Sequence, residues 1–232
     1  MMRAPVLALL PALIAFADSK NQVFSDFTTP LPAPPGSTLV VGVVGGWERW
    51  DAEQRIIRRI ALRLRDRKLP GVWVETVENH KLHLAEQLVC RAFPDPAAAR
   101  LVIFGQSLGG SASIRLARRL GGLGYSVTRL VVIDSVGGGD RWIPPNVASA
   151  LNLFQRDSWW PVRGEKRIRA EDPARTRILE NREFRYNGRR IDMPGEPWIR
   201  RTFMRGHLKM EYDPEVWSLV EQRLLEALPA PR

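Results

Sequence analysis

From residue 38 onward, short apolar runs alternate with amphipathic segments. Residues 38–44 form a run rich in β-branched side chains that ends in Gly45-Gly46. Between about 51 and 68, Arg55, Arg59, Arg63 and Arg67 recur every four residues, while Ile56, Ile57, Ile60, Ala61 and Leu64 occupy the opposing side. That is the period of an amphipathic helix with a solvated basic face, and Pro70-Gly71 stops it. A second run spans 72–77, with a helix at about 80–92. A third spans 101–104, with a helix at about 108–120, and a fourth spans 130–133. A further strand is read near 150–154. Asp213 is placed to cap a final helix that has Pro214 in its first turn and runs to about Leu228. Strands apolar on both faces, alternating with helices, imply a parallel sheet covered on both sides. The expected fold is therefore α/β, a three-layer sandwich with a mostly parallel sheet of about five or six strands.

Three other stretches frame this pattern. Arg3 followed by the mostly apolar residues 4–17, ending in Ala15-Phe16-Ala17, reads as an export signal, which predicts a periplasmic or secreted protein, with a cytoplasmic one as the alternative. At about 14 residues it is too short to span a bilayer of ~30 Å. Residues 18–37 read as a proline-rich leader anchored by Val23, Phe24 and Phe27. Residues 38–228 read as a single domain, with a Trp/Arg-rich insert at about 136–205.

The chemical signal lies between the third run and its helix, in Gly105-Gln106-Ser107-Leu108-Gly109. A serine on a tight strand-to-helix turn is lifted clear of the sheet, and small residues two before and two after let strand and helix nearly touch. The stretch Val102-Ile103-Phe104-Gly105-Gln106-Ser107-Leu108-Gly109-Gly110 resembles the nucleophile elbow of the α/β-hydrolase superfamily, and the resemblance covers about residues 38–228. It implies a nucleophile, an acid and a histidine in that order along the chain. His207, in Arg205-Gly206-His207-Leu208, is the one histidine downstream of Ser107, and the resemblance places it in a loop before the final helix.

The resemblance leaves the acid open. Asp134 ends the fourth run, as in the thioesterase-type branch; Asp157 fits hydrolases that place the acid one strand later, and Asp172 is a third candidate. The backbone N–H of Leu108 and one from Gly46 or Trp47 would form the oxyanion hole. The activity implied is hydrolysis of a carboxylic ester or thioester by a serine esterase, lipase or thioesterase through an acyl-enzyme, with no cofactor and no metal. Eight tryptophans, four of them between Asp134 and His207, suggest an aromatic covering suited to a small-molecule or lipid-like ester.

Composition changes this picture little. Thirty-five Lys+Arg against 25 Asp+Glu give a net charge of +10, and only five of the cations are lysine. A basic balance admits an anionic partner, but the arginines lie on a helix exterior or are intermixed with acids, and no nucleic-acid-binding spacing occurs. Nucleic acid is not expected; weak contact with an anionic membrane surface is the alternative, as is a hydrolase-fold binding protein without catalysis. His80, His83 and Glu86 share a helix face at ligand-like spacing but sit in no metal-binding motif and read as surface residues. The single cysteine, Cys90, excludes an internal disulfide and a cysteine zinc cage.

Overall fold

The computed structural model describes residues 21–138, 141–159 and 162–229; the export-signal segment 1–17 lies outside them. In chain order the elements are β1 (Thr38–Val43), α1 (Ile56–Asp66), β2 (Val72–Val77), α2 (Leu82–Ala92), β3 (Arg100–Gln106), α3 (Leu108–Gly122) and β4 (Val127–Ile133). There follow β5 (Trp142–Ile143), β6 (Val147–Phe154), β7 (Arg169–Ala170), β8 (Arg177–Glu183), α4 (Trp198–Phe203), α5 (Arg205–Tyr212) and α6 (Pro214–Leu225).

Six strands form one sheet in the order β2-β1-β3-β4-β6-β8, and every neighbouring pair is parallel. The expectation of a mostly parallel sheet thus sharpens to a wholly parallel one. β5 and β7 make a separate two-stranded ribbon.

Alternation along each strand sends neighbouring side chains into opposite layers. Leu39, Val41, Leu101 and Ile103 pack with α2 and α3, through Leu88, Val89, Leu116 and Leu120. Val40, Val102, Phe104 and Val131 pack with α1 and α6, through Ile57, Ile60, Leu64, Trp217 and Val220. The inner strands β1, β3 and β4 are therefore buried on both faces over most of their length, as their continuous apolar runs require.

The segment 136–205 is more than an insert laid over the sheet, because it supplies β6 and β8. The second of these has no apolar run to announce it. It is an edge strand, Arg-Ile-Leu-Glu-Asn-Arg-Glu, half-buried to exposed along its length. α1 begins at Ile56, later than about 51, because residues 45–55 turn back on themselves. The carboxylate of Glu48 accepts from the N–H of Gly45 (3.0 Å), and the carbonyl of Trp50 accepts from the hydroxyl of Thr76 (2.7 Å).

The leader is clamped to the opposite edge. Oε1 of the buried Glu75 on β2 accepts from the N–H and hydroxyl of both Thr28 and Thr29 (2.7–2.9 Å), while Oε2 receives Arg65 (2.7 Å). Gln22 bridges the carbonyl of Thr76 and the N–H of Glu78 (2.8 and 3.1 Å). These contacts cover an edge that would otherwise present free backbone groups.

Candidate active site

The turn after β3 is built by close approach. A Cβ at Gly105 would collide with Ser113 and the carbonyl of Gly109, and one at Gly109 would collide with the carbonyls of Val43 and Val44. β3, β1 and α3 can meet there only without those side chains. Ser107 itself adopts φ 58°, ψ −128°, a conformation that costs a non-glycine residue roughly 1–3 kcal/mol. It is held by hydrogen bonds from its N–H to the carbonyl of Ile133 (3.0 Å) and to its own carbonyl from Gly110 (3.0 Å) and Val136 (3.2 Å).

Oγ of Ser107 stands 3.0 Å from Nε2 of His207, and Nδ1 of His207 stands 2.6 Å from Oδ2 of Asp134. His207 lies within α5 and is buried, so the expected loop position is corrected to a helical one. Gly206 explains how that helix docks: a Cβ there would strike Oε1 of Gln155, on the segment that follows β6. Burial disfavours the charged imidazole, but the carboxylate of Asp134 outweighs it and holds the pKa of His207 above the usual histidine value. With Nδ1–H donating to Asp134, Nε2 is free to accept the serine proton.

Asp134 ends β4 at φ 41° and is fully buried. Asp157 forms no hydrogen bond or ion pair with the imidazole among the described residues. Its Oδ2 accepts the N–H of Tyr186 (2.5 Å), so it secures the chain after β8. Asp172 is a turn residue that accepts from Ala174 (3.0 Å).

Two residues with no sequence motif complete the arrangement. Gln155 donates to both oxygens of Asp134 and accepts the N–H of Ser158 (2.9 Å). Oγ of Ser158 in turn accepts the backbone N–H of His207 (2.7 Å). The one sequence signal for either was its place just past a strand end.

The candidate oxyanion donors are positioned as follows. Leu108 opens α3, so its N–H has no acceptor within the helix. Its side chain lies against Gly46. The N–H of Gly45 is committed to Glu48, whereas those of Gly46 and Trp47 have no acceptor among the described residues. Trp47 has φ 56° and is exposed.

Glu48 connects this loop to a buried charge cluster that sequence reasoning missed. Arg55 lies within 3.6 Å of Glu48, 3.5 Å of Glu196 and 3.3 Å of Glu211, and Arg200 lies 2.7 Å from Glu196. Three carboxylates thus share two guanidiniums. Burial and the charge of Glu211 push the pKa of Glu48 up to about 7 against the opposing pull of Arg55.

Trp50 is buried, whereas Trp142, Trp159 and Trp198 are exposed, and the Trp159 ring pairs with Phe203 at 6.3 Å. Trp160 lies outside the described residues. His80 and His83 are exposed, and Glu86 pairs with Arg119 (2.8 Å). Among the described residues no cluster of three or more potential ligands could hold a metal, and no helix is long and apolar enough to cross a membrane.

No family model matches the sequence, and no curated protein matches it. Among solved structures, the chain is similar to a cutinase-like protein from Cryptococcus sp., at 11% identity and TM-score 0.48, covering 88% of this chain and 100% of that one. It is also similar to the thioesterase domain SrfTE, described for cyclization of the lipopeptide antibiotic surfactin, at 13% identity and TM-score 0.45, covering 90% and 95%. The α/β fold expected from the α/β-hydrolase resemblance is present in the chain itself, in its parallel sheet and in the turn at Ser107.

Proposed function

We propose that the protein is a serine hydrolase of carboxylic esters or thioesters. One observation carries this reading: the continuous row from Ser107 Oγ to His207 Nε2 and from His207 Nδ1 to Asp134 Oδ2, at 3.0 and 2.6 Å. A serine hydroxyl is a weak nucleophile at neutral pH and needs a base within hydrogen-bond reach and an acid to orient that base.

In this reading Ser107 attacks the acyl carbon while Nε2 of His207 takes the hydroxyl proton. Asp134 stabilises the imidazolium that forms. The N–H of Leu108, with that of Gly46 or Trp47, receives the developing oxyanion. His207 then gives the proton to the departing alcohol or thiol. Water, deprotonated by the same Nε2, releases the acid from the acyl-enzyme. The exposed aromatic side chains near the His207 helix suit an apolar acyl group. Turnover of acyl esters and thioesters across chain lengths, with Ser107→Ala as the blank, tests the proposal; hydrolysis that survives in the blank refutes it.

A further inference from the structure

A cleft of about 510 Å³ lies against α5 on the side away from His207. Arg205 and Lys209, two residues before and after His207, sit about 160° from it around the helix. The cleft walls carry these two cations with Arg189, Arg190 and Arg201, against the single acid Asp192.

Arg189 is already paired with Asp213 (3.1 Å) and Glu215 (3.4 Å). Arg201 gives Nη2 to the carbonyl of Met193 (2.6 Å). Arg190, Arg205 and Lys209 form no ion pair among the described residues. Lys209 is the informative one, because the residue is buried, at 4% exposed. Its ammonium donates to the carbonyls of Tyr186 (3.1 Å) and Arg189, which leaves its third N–H without a partner among the described residues. Burial and the adjacent Arg205 lower its pKa from the usual lysine value. A buried ammonium beside the unpaired Arg205 is electrostatically costly; the charge of Asp157 offsets part of that cost, and an entering anion would offset more.

We propose that this cleft is a binding site for a phosphate group. Guanidinium forks match the edges of a tetrahedral oxyanion, and an ammonium supplies the point charge at its base. The site is separate from the Ser107 row and does not depend on the hydrolase reading. The same group could arrive as a soluble phosphate or on a lipid headgroup, and the test separates the two.

Thermal unfolding of the intact chain is followed in inorganic phosphate and in sodium chloride at matched ionic strength, for wild type and for Arg201→Ala/Arg205→Ala. Both arginines are exposed, so their removal leaves the core intact. Phosphate should raise the wild-type Tm by several degrees beyond chloride, with half-saturation at least tenfold weaker in the variant. Sedimentation with phosphatidylcholine vesicles, with and without phosphatidic acid, accompanies it. Binding to the acidic vesicles that phosphate displaces supports a lipid headgroup; a phosphate shift without vesicle binding supports a soluble ligand. Equal responses to phosphate and chloride, or an undiminished response in the variant, overturn the proposal.

Discussion

Gln155 holds Asp134 by both carboxylate oxygens. Its backbone N–H donates to Oδ1 (3.2 Å), and its side-chain amide donates to Oδ2 (2.9 Å), the oxygen that also receives Nδ1 of His207. Through Ser158 the same glutamine fixes the backbone of His207. Replacing it with leucine leaves a buried carboxylate short of a donor, at a cost of ~1–3 kcal/mol. Gln155→Leu should lower Tm and reduce kcat by about tenfold to a hundredfold, with KM little changed. Steady-state kinetics beside thermal unfolding checks this, and an unchanged kcat would reduce Gln155 to a packing role.

Ser107→Ala and His207→Ala should each lower turnover by about a thousandfold or more while the protein stays folded. The strained backbone at Ser107 adds a stability prediction. Ser107→Gly should be more stable than Ser107→Ala by about 1 kcal/mol, because glycine tolerates positive φ. Denaturant unfolding of the two inactive variants provides the comparison.

The base function proposed for His207 requires a neutral imidazole. Its pKa is raised, so kcat/KM should climb as pH increases through a value above the ordinary histidine range and then level off. Stability follows the opposite course. A raised folded-state pKa contributes stability that is full below the unfolded value and is lost as pH rises through the folded one. Asp134→Asn should move the imidazole titration to lower pH, which NMR of the histidine ring can follow; an unshifted titration would break the assigned coupling.

Glu48 gives a second pH signature. Its pKa rises from the ordinary 4.5 to about 7, so its stabilising contribution is complete below pH 4.5 and is lost as pH rises to about 7. Glu48→Gln removes the ionisation but keeps an acceptor for the N–H of Gly45. The stability of the variant relative to wild type should therefore grow between pH 4.5 and 7 and remain flat above. Thermal unfolding across that range is the check; a constant difference between the two proteins would mean that Glu48 is ionised in the ordinary way.

The half of the sheet from β1 to β4 was legible because its strands are buried on both faces, and continuous apolar runs such as Val131-Val132-Ile133 record that burial directly. β8 was not legible, because an exposed edge strand carries Glu180, Arg182 and Glu183 where an inner strand would carry valines. The turn at Ser107 announces itself through local glycines. The partner of His207 does not, because the choice between Asp134 and Asp157 depends on how α5 packs against residues 155–158, a contact between segments some 50 residues apart. Gln155, Ser158 and the Glu48–Arg55–Glu211 cluster were invisible for the same reason: each is defined by three-dimensional neighbours rather than by spacing. The arginines include ion-paired exteriors, such as Arg63 and Arg67 on Glu221, and the cleft beside α5, where Arg190 and Arg205 form no ion pair among the described residues.

The central claim is that Ser107 is a nucleophile activated by His207. Treating the folded protein with a fluorophosphonate and mapping the product by mass spectrometry tests it most directly. The expected result is one stoichiometric adduct, on the peptide that contains Ser107, absent in Ser107→Ala and strongly slowed in His207→Ala. Folded protein that takes up no label, or a label that persists in Ser107→Ala, would contradict the account.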